Sequence, residues 1–347
     1  MKDNLLKIGV VYSHHKLGDL IWQLPYIESI SAHYSIPVTL ITRPKTQAKD
    51  ILQDEKFIKE VFYCKFRKKI FYFYEILKLY LFFKREKFSH IFILDKISRP
   101  AIAAKLAKIK NIIGPGLGSQ KKWITSKSFL NSSDYANLNY SEQSAKLLKL
   151  NDIIVRNKFP KISIQKDTLE RIELNFVSDI KNQNAISLGV DSFEYYKMWY
   201  EEQFAELANI LNEKKIANKF FLIASPQNSH IVKRIIEISK KNIFVDCSSL
   251  NLLQIIKVIK LSSFYIGNNS GPLNLSSALN VKSYGLIAND KVSELKNSNI
   301  LPILPENYKN EFYRNRSGMK RLTVTKVLNH ILHDLDSSLK NDKTSLT

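Results

Sequence analysis

Three short segments of this chain place polar and glycine residues where an apolar run gives way to helical spacing. The first is Lys16-Leu17-Gly18-Asp19-Leu20. Gly18 permits a tight turn and close backbone approach, Lys16 opens the loop, and Asp19 falls in the first turn of the helix that follows. A carboxylate there has two uses. It can cap free N–H groups, the commoner role on spacing alone. It can also take a proton from a substrate hydroxyl, with the helix dipole favouring its ionised form. The second segment is Asn268-Asn269-Ser270-Gly271-Pro272. Pro272 suits the first helical position, and the free backbone N–H groups around Ser270 and Gly271 make an anion site that fits a diphosphate. An ordinary turn capped by Ser270 explains Ser270 and Pro272 equally well. The third segment, 191–199 (DSFEYYKMW), carries Lys197, a point charge for a phosphate. A single lysine is more often simply solvated, so three loops of matching placement weigh more than any one.

The elements that must position these loops can be read from the apolar pattern. Residues 7–12 (KIGVVY), 37–41 (PVTLI), 90–94 (HIFIL) and 111–113 read as buried strands. Helices are expected over 20–33 and 100–108, and the glycines at 114, 116 and 118 mark a loop. The second half repeats the grammar more clearly. Strands at 185–190, 219–224, 243–245, 264–267 and 283–287 alternate with helices at 201–214, 229–240, 252–260 and 272–279. Such alternation implies doubly wound parallel sheets, with ligands at the C-terminal ends of the strands. The 347 residues suggest two domains, and the polar stretch 157–167 is the best linker. The expected division is 1–165, 166–325, and a C-terminal helix with a frayed tail over 326–347.

Composition narrows the class. The 44% hydrophobic and 11% aromatic content excludes a disordered chain. The two cysteines, Cys64 and Cys247, make no disulfide framework and suit a reducing cytoplasm. No apolar run is long enough to span a membrane, and the first residues lack a signal-peptide pattern. The 53 Lys+Arg against 32 Asp+Glu leave a net charge of +21, which fits an anionic partner or a compositional bias toward Lys, Asn and Ile. Neither the His14-His15 pair nor the cysteines have zinc-ligand spacing, so no metal is expected. The most unusual composition is 65–88 (KFRKKIFYFYEILKLYLFFKREKF). Its basic ends, with Lys68, Lys69, Lys84 and Arg85, around an aromatic middle suit an interfacial helix on anionic lipid. A core helix with solvated lysines fits equally well. A single-stranded nucleic acid partner is the minor reading, since no RNA-binding signature accompanies the stretch.

Taken together, KLGDLIWQLPYIESI, then KMW before a helix, then YIGNNSGPLNLSSALNV resemble the heptosyltransferase-type glycosyltransferases of family 9, over nearly the whole chain. The resemblance implies a GT-B fold, two Rossmann-like doubly wound domains facing a central cleft. It implies Asp19 as general base on an acceptor hydroxyl and Lys197 as a ligand of donor phosphate. The turn Asn269-Ser270-Gly271-Pro272 would hold the donor diphosphate, where the family usually has Asp-Ser-Gly-Pro-Met-His. Asn269 and Asn274 depart from that pattern, and the loop 225–229 (SPQNS) has no acid where the family often has one for the donor ribose. The implied activity is inverting, metal-independent transfer of a sugar, with heptose the expected one. It would pass from a nucleotide-sugar donor, a substrate rather than a cofactor, to a lipid-linked glycan acceptor such as a lipopolysaccharide core. The expected setting is cytoplasmic, from the cysteine usage, with the stretch 65–88 docking on the inner face of the inner membrane. The departures keep a second reading open, a family member that binds nucleotide sugar or glycan without turnover.

Overall fold

The computed structural model describes residues 6–67, 69–176, 184–296, 298–311 and 314–344. The chain divides into two compact units, Met1–Gln165 and Lys166–Thr347. Each unit is built on one wholly parallel sheet.

In the first unit the strands are β1 (Ile8–Val11), β2 (Val38–Thr42), β3 (Ile58–Tyr63), β4 (His90–Ile93) and β5 (Asn111–Ile113), in the order β3-β2-β1-β4-β5. β1 and β2 are buried along their whole length, as expected for parallel strands covered on both faces. The helix expected over 20–33 is two helices, Leu17–Ile21 and Leu24–Tyr34. Pro25 lies in the first turn of the second, where its missing N–H is harmless. One turn further back it would have broken a continuous helix. The helix Tyr72–Glu86 turns Ile76, Leu79, Phe82 and Phe83 into the core against β4 and the helix Arg99–Leu106.

In the second unit the strands are β6 (Ala185–Gly189), β7 (Lys219–Ile223), β8 (Phe244–Asp246), β9 (Tyr265–Asn268), β10 (Ser283–Leu286) and β11 (Ile300–Ile303). Their order is β11-β10-β9-β6-β7-β8. The helix Glu201–Glu213 shows why the flanking layer forms. Glu201 and Glu202 favour its N-terminal turn, and Phe204, Leu207, Ala208 and Leu211 repeat at helical spacing on the buried face. The helix Leu252–Leu261 starts in a capping box between Asn251 and Gln254. The C-terminal helix Val324–Thr344 continues past Ser337, where fraying was expected. Its Val327, Leu328 and Ile331 are part of the second unit's core, and that packing fixes its path.

In both sheets the chain leaves the middle in opposite directions, at β1/β4 in the first and at β6/β9 in the second. These are the topological switch points, where successive loops diverge and leave room for a ligand.

Candidate functional site

At the β6/β9 switch point two glycines sit side by side in register, Gly189 and Gly267. A Cβ on Gly189 would lie 1.6 Å from the Tyr265 hydroxyl, so only glycine leaves space for that ring. The Tyr265 hydroxyl is buried beside Ser270, and burial raises its pKa well above the ordinary phenol value.

The loop after β6 ends in a short 3-10 turn, Tyr195–Lys197, followed by Met198 and Trp199. The Trp199 N–H donates to Asn268 Oδ1 at 2.9 Å, tying this loop to the end of β9. The Trp199 indole donates to the Leu322 carbonyl at 2.7 Å. Arg316 clamps the same segment, donating to the carbonyls of Met198 at 2.8 Å and Trp199 at 2.9 Å. Its guanidinium also lies 4.1 Å over the Tyr200 ring. Lys197 is thereby held rather than left to solvent. Its Nζ is 2.9 Å from Asp290 Oδ1 and 3.5 Å from Glu194 Oε2. Burial alone would lower the ammonium pKa, but the Asp290 carboxylate outweighs it and the net shift is upward. Lys197 is therefore fully charged across the neutral range.

The turn after β9 leads into the helix Gly271–Ala278. Pro272 occupies its second position, one later than expected, because Gly271 is already helical. Ser270 precedes the helix in extended backbone and makes no side-chain cap; its Oγ is buried beside the Tyr265 hydroxyl. That removes the capping explanation for Ser270. The first helical bond runs from Asn274 N–H to the Ser270 carbonyl at 3.3 Å, leaving earlier N–H groups without an intrahelical acceptor. Asn268 Nδ2 and Asn274 Oδ1 are buried and unpartnered. Buried polar atoms are normally paired, so the donor Nδ2 of Asn268 beside a helix N-terminus and a lysine suits an anion, while the acceptor Oδ1 of Asn274 suits a hydroxyl or N–H donor.

Asn269 donates from Nδ2 to Asp290 Oδ2 at 2.8 Å. One carboxylate thus bridges Lys197 and Asn269. Sequence reasoning missed Asp290, Arg316 and Asp191. Asp191 accepts from the Ser225 N–H at 2.8 Å, from the Ser225 hydroxyl at 2.6 Å and from Asn228 at 2.6 Å. The loop 225–229 therefore carries an acid on its inner side, supplied from another strand end. The available signal was position, since Asp191 and Asp290 each stand just beyond a strand terminus.

The first unit repeats the arrangement at β1/β4. The Ser13 N–H donates to Asp95 Oδ2 at 2.6 Å, and the Ile97 N–H donates to Asp95 Oδ1 at 3.0 Å. Lys16 turns the chain in extended backbone, φ −88° and ψ 139°. Gly18 is buried inside the short helix Leu17–Ile21 and does not adopt a left-handed turn. Asp19 is half-buried, and its carboxylate makes no capping bond among the described residues. Asp19 Oδ2 lies 3.7 Å from His14 Nδ1. The His14 ring is fixed between Tyr12, stacked at 5.0 Å, and Tyr140, edge-on at 4.4 Å. The Tyr12 hydroxyl is buried close to the Gln23 side-chain amide. Its pKa is pushed up first by burial and then by the nearby Asp19 and Asp95 carboxylates. Asp19 is thus an uncapped, partly solvated carboxylate beside an oriented imidazole, which suits a proton acceptor.

Of the basic residues expected at an anionic surface, Lys69, Lys84 and Arg85 are exposed around the helix Tyr72–Glu86. Lys68 lies outside the described residues.

Residues 140–315 match the family model for glycosyltransferase family 9 (heptosyltransferase). No curated protein matches the chain in sequence. Among solved structures, the chain is similar to E. coli ADP-heptose lipopolysaccharide heptosyltransferase II, with TM-score 0.75 and 15% identity over 97% of this chain and 100% of that one. A family 9 glycosyl transferase from Veillonella parvula gives TM-score 0.75 and 16% identity over 95% and 97%. The E. coli heptosyltransferase WaaC with ADP-2-deoxy-2-fluoro heptose gives 0.71 and 13% over 95% and 100%. At such identities the likeness is one of fold, and the fold is GT-B.

Proposed function

Because the chain belongs to glycosyltransferase family 9, the heptosyltransferase family, we propose that it transfers a heptose from a nucleoside-diphosphate donor to a lipid-linked glycan acceptor of lipopolysaccharide-core type, with inversion. The observation that carries this reading is the anion site of the second unit. Charged Lys197, the N-terminus of the helix Gly271–Ala278, the buried Ser270 hydroxyl and the unpartnered Asn268 Nδ2 lie where a diphosphate would be held. In the reaction, Asp19 removes the acceptor hydroxyl proton as the new bond to the anomeric carbon forms. The bond from that carbon to the diphosphate oxygen breaks, and the electron pair leaves on the diphosphate. Lys197 and the turn around Ser270 and Gly271 stabilise that departing charge. Buried, unpaired Cys64 and Cys247 support a reducing, cytoplasmic setting.

The test is release of nucleoside diphosphate across a panel of donors and acceptors. ADP-heptose comes first because the E. coli relatives are named for it. Asp19→Ala should lower turnover by about 10²–10⁴-fold, the usual contribution of a general base, while nucleotide binding persists. Undiminished turnover in that variant would remove Asp19 from its role. A second reading, donor binding without turnover, is favoured by one observation. The Lys197 charge is already matched by Asp290 and Glu194, so less of it is left to stabilise a departing diphosphate. Tight nucleotide binding with no release from any donor would decide for that reading.

A further inference from the structure

The helix Tyr72–Glu86 is apolar on two faces. Its inner face, with Ile76, Leu79, Phe82 and Phe83, is core. Its outer face carries Phe73, Tyr74, Leu77 and Leu81, continued by Ile70 in the short turn before it, and all five are 53–86% exposed. Scattered exposed hydrophobics are ordinary, but five on a single stripe form a contiguous patch that needs an occupant.

The charge around the stripe selects the occupant. Lys65 and Lys69 stand at its start and Lys84, Arg85 and Lys87 at its end, all exposed. The two carboxylates of the stretch do not offset them on that face. Glu75 is turned into the core, where it accepts from the Cys64 thiol, the Phe66 N–H and Arg67. Glu86 is shared between Lys7 and Arg85 at the helix end. An aromatic and aliphatic stripe rimmed by cations, with both carboxylates of the stretch turned away or paired, complements a lipid surface whose headgroups are anionic and whose interior is apolar.

We infer that the outer face of the helix Tyr72–Glu86 is a membrane-docking surface for anionic bilayers, with Phe73, Leu77 and Leu81 entering the headgroup boundary and Lys69, Lys84 and Arg85 engaging headgroups. This is peripheral binding, since no described helix is long and apolar enough to cross a membrane. It does not depend on the transfer reaction proposed above.

The test is co-sedimentation of the full chain with vesicles of phosphatidylcholine alone or with 30 mole per cent phosphatidylglycerol, a composition of roughly physiological surface charge. The partition coefficient should be much higher on the anionic vesicles and fall with salt. Two triple variants separate the contributions. Lys69→Gln/Lys84→Gln/Arg85→Gln should lose about fivefold per residue at low salt and converge with the parent at 1 M salt, a deliberately screening condition. Phe73→Ser/Leu77→Ser/Leu81→Ser should lose binding at every salt concentration with unchanged circular dichroism and thermal midpoint, because none of the three is core. Equal partition of parent and serine variant would overturn the inference. So would a parent that self-associates through this face, seen as a serine variant that becomes monomeric while its vesicle binding is unaltered. Turnover on a water-soluble acceptor should be the same in all three proteins, which keeps this result separate from the assignment of the reaction.

Discussion

Asn269→Asp puts back the residue type usual in the family and should nonetheless destabilise this protein. Asn269 Nδ2 and Asp290 Oδ2 are 2.8 Å apart, so the substitution turns a hydrogen bond into a contact of two acceptors. Two unit charges at that distance repel by about 6 kcal/mol at an effective dielectric of 20 and about 1.5 kcal/mol in water. Asn269 is half-buried, and Lys197 stands 2.9 Å from the same carboxylate, so a net cost of about 2 kcal/mol is expected, between those limits. Asp290→Asn should cost about as much by a different route. It leaves the ammonium of Lys197, whose side chain is 15% exposed, with Glu194 alone at 3.5 Å, and losing a charged hydrogen bond of this kind costs about 1.5–3 kcal/mol. The exchange Asn269→Asp/Asp290→Asn restores one carboxylate and one amide and should fall within about 1 kcal/mol of the parent, a coupling of roughly −3 kcal/mol. Urea denaturation of the four proteins at pH 7.5 measures this, and calorimetric titration with ADP follows the site. The pH dependence has a definite sign. Of two adjacent carboxyls, one has its folded-state pKa raised. The Asn269→Asp penalty is therefore absent below the unfolded pKa of about 3.9, and it grows as pH rises toward the raised folded value. Additive single costs in the double variant, or an Asn269→Asp protein as stable as the parent at pH 8, would refute the bridging role given to Asp290.

Three further outcomes can be checked. Tyr265→Phe removes a buried hydroxyl that faces Ser270, so the ligand-free protein should change in stability by no more than about 1 kcal/mol while its affinity for ADP falls; thermal shifts with and without nucleotide read both, and an unchanged ADP affinity would take the hydroxyl out of the site. Burial would raise the Glu75 pKa, but hydrogen bonds from the Cys64 thiol, Arg67 and the Phe66 N–H hold it below the usual range. The stability it confers is thus present above the unfolded value near 4.3 and lost as pH falls through the lower folded value. Glu75→Gln should cost about 1.5–3 kcal/mol at neutral pH and flatten that acid limb in a denaturation series. The Cys64 thiol, whose pKa burial drives up to about 12, should resist alkylation at pH 8 in both proteins.

Much of the fold was legible because the central strands advertise themselves. β1, β6 and β9 are short, wholly buried and mostly apolar, and the polar residues that follow them mark the loops. The strands that escaped sequence reasoning are both at sheet edges. β3, Ile58–Tyr63, carries exposed Lys59 and Glu60 in its middle and has no buried position. β11, Ile300–Ile303, includes Pro302, a residue tolerated at an edge but disqualifying in a central strand. An edge strand buries less, so its sequence is less constrained and its signal weaker. The placement of Asp19, Lys197 and the Ser270 turn followed from local pattern. Their partners did not, because Asp290 lies 93 residues beyond Lys197 and Arg316 lies 117 beyond Trp199, and such pairings are decided by the order of strands in the sheet.

That distinction changes the meaning of Asn269. By sequence, an amide where the family has an acid reads as a lost charge. In the folded chain the charge has a different origin, since Asp290, on the loop after the neighbouring strand β10, reaches the same position and accepts from Asn269. Around the Lys197 ammonium there are already two carboxylates, Asp290 and Glu194, so the cluster carries a net charge of about −1 before any substrate arrives. An acid at 269 would take it to about −2, in a place where a diphosphate must bind beside the same lysine, and each added like charge at about 4 Å opposes that binding by about 1–4 kcal/mol. An amide keeps the hydrogen bond and avoids the extra repulsion. Asn269 is then a consequence of Asp290 rather than a sign of decay, and the pair should be judged together when related sequences are read for activity.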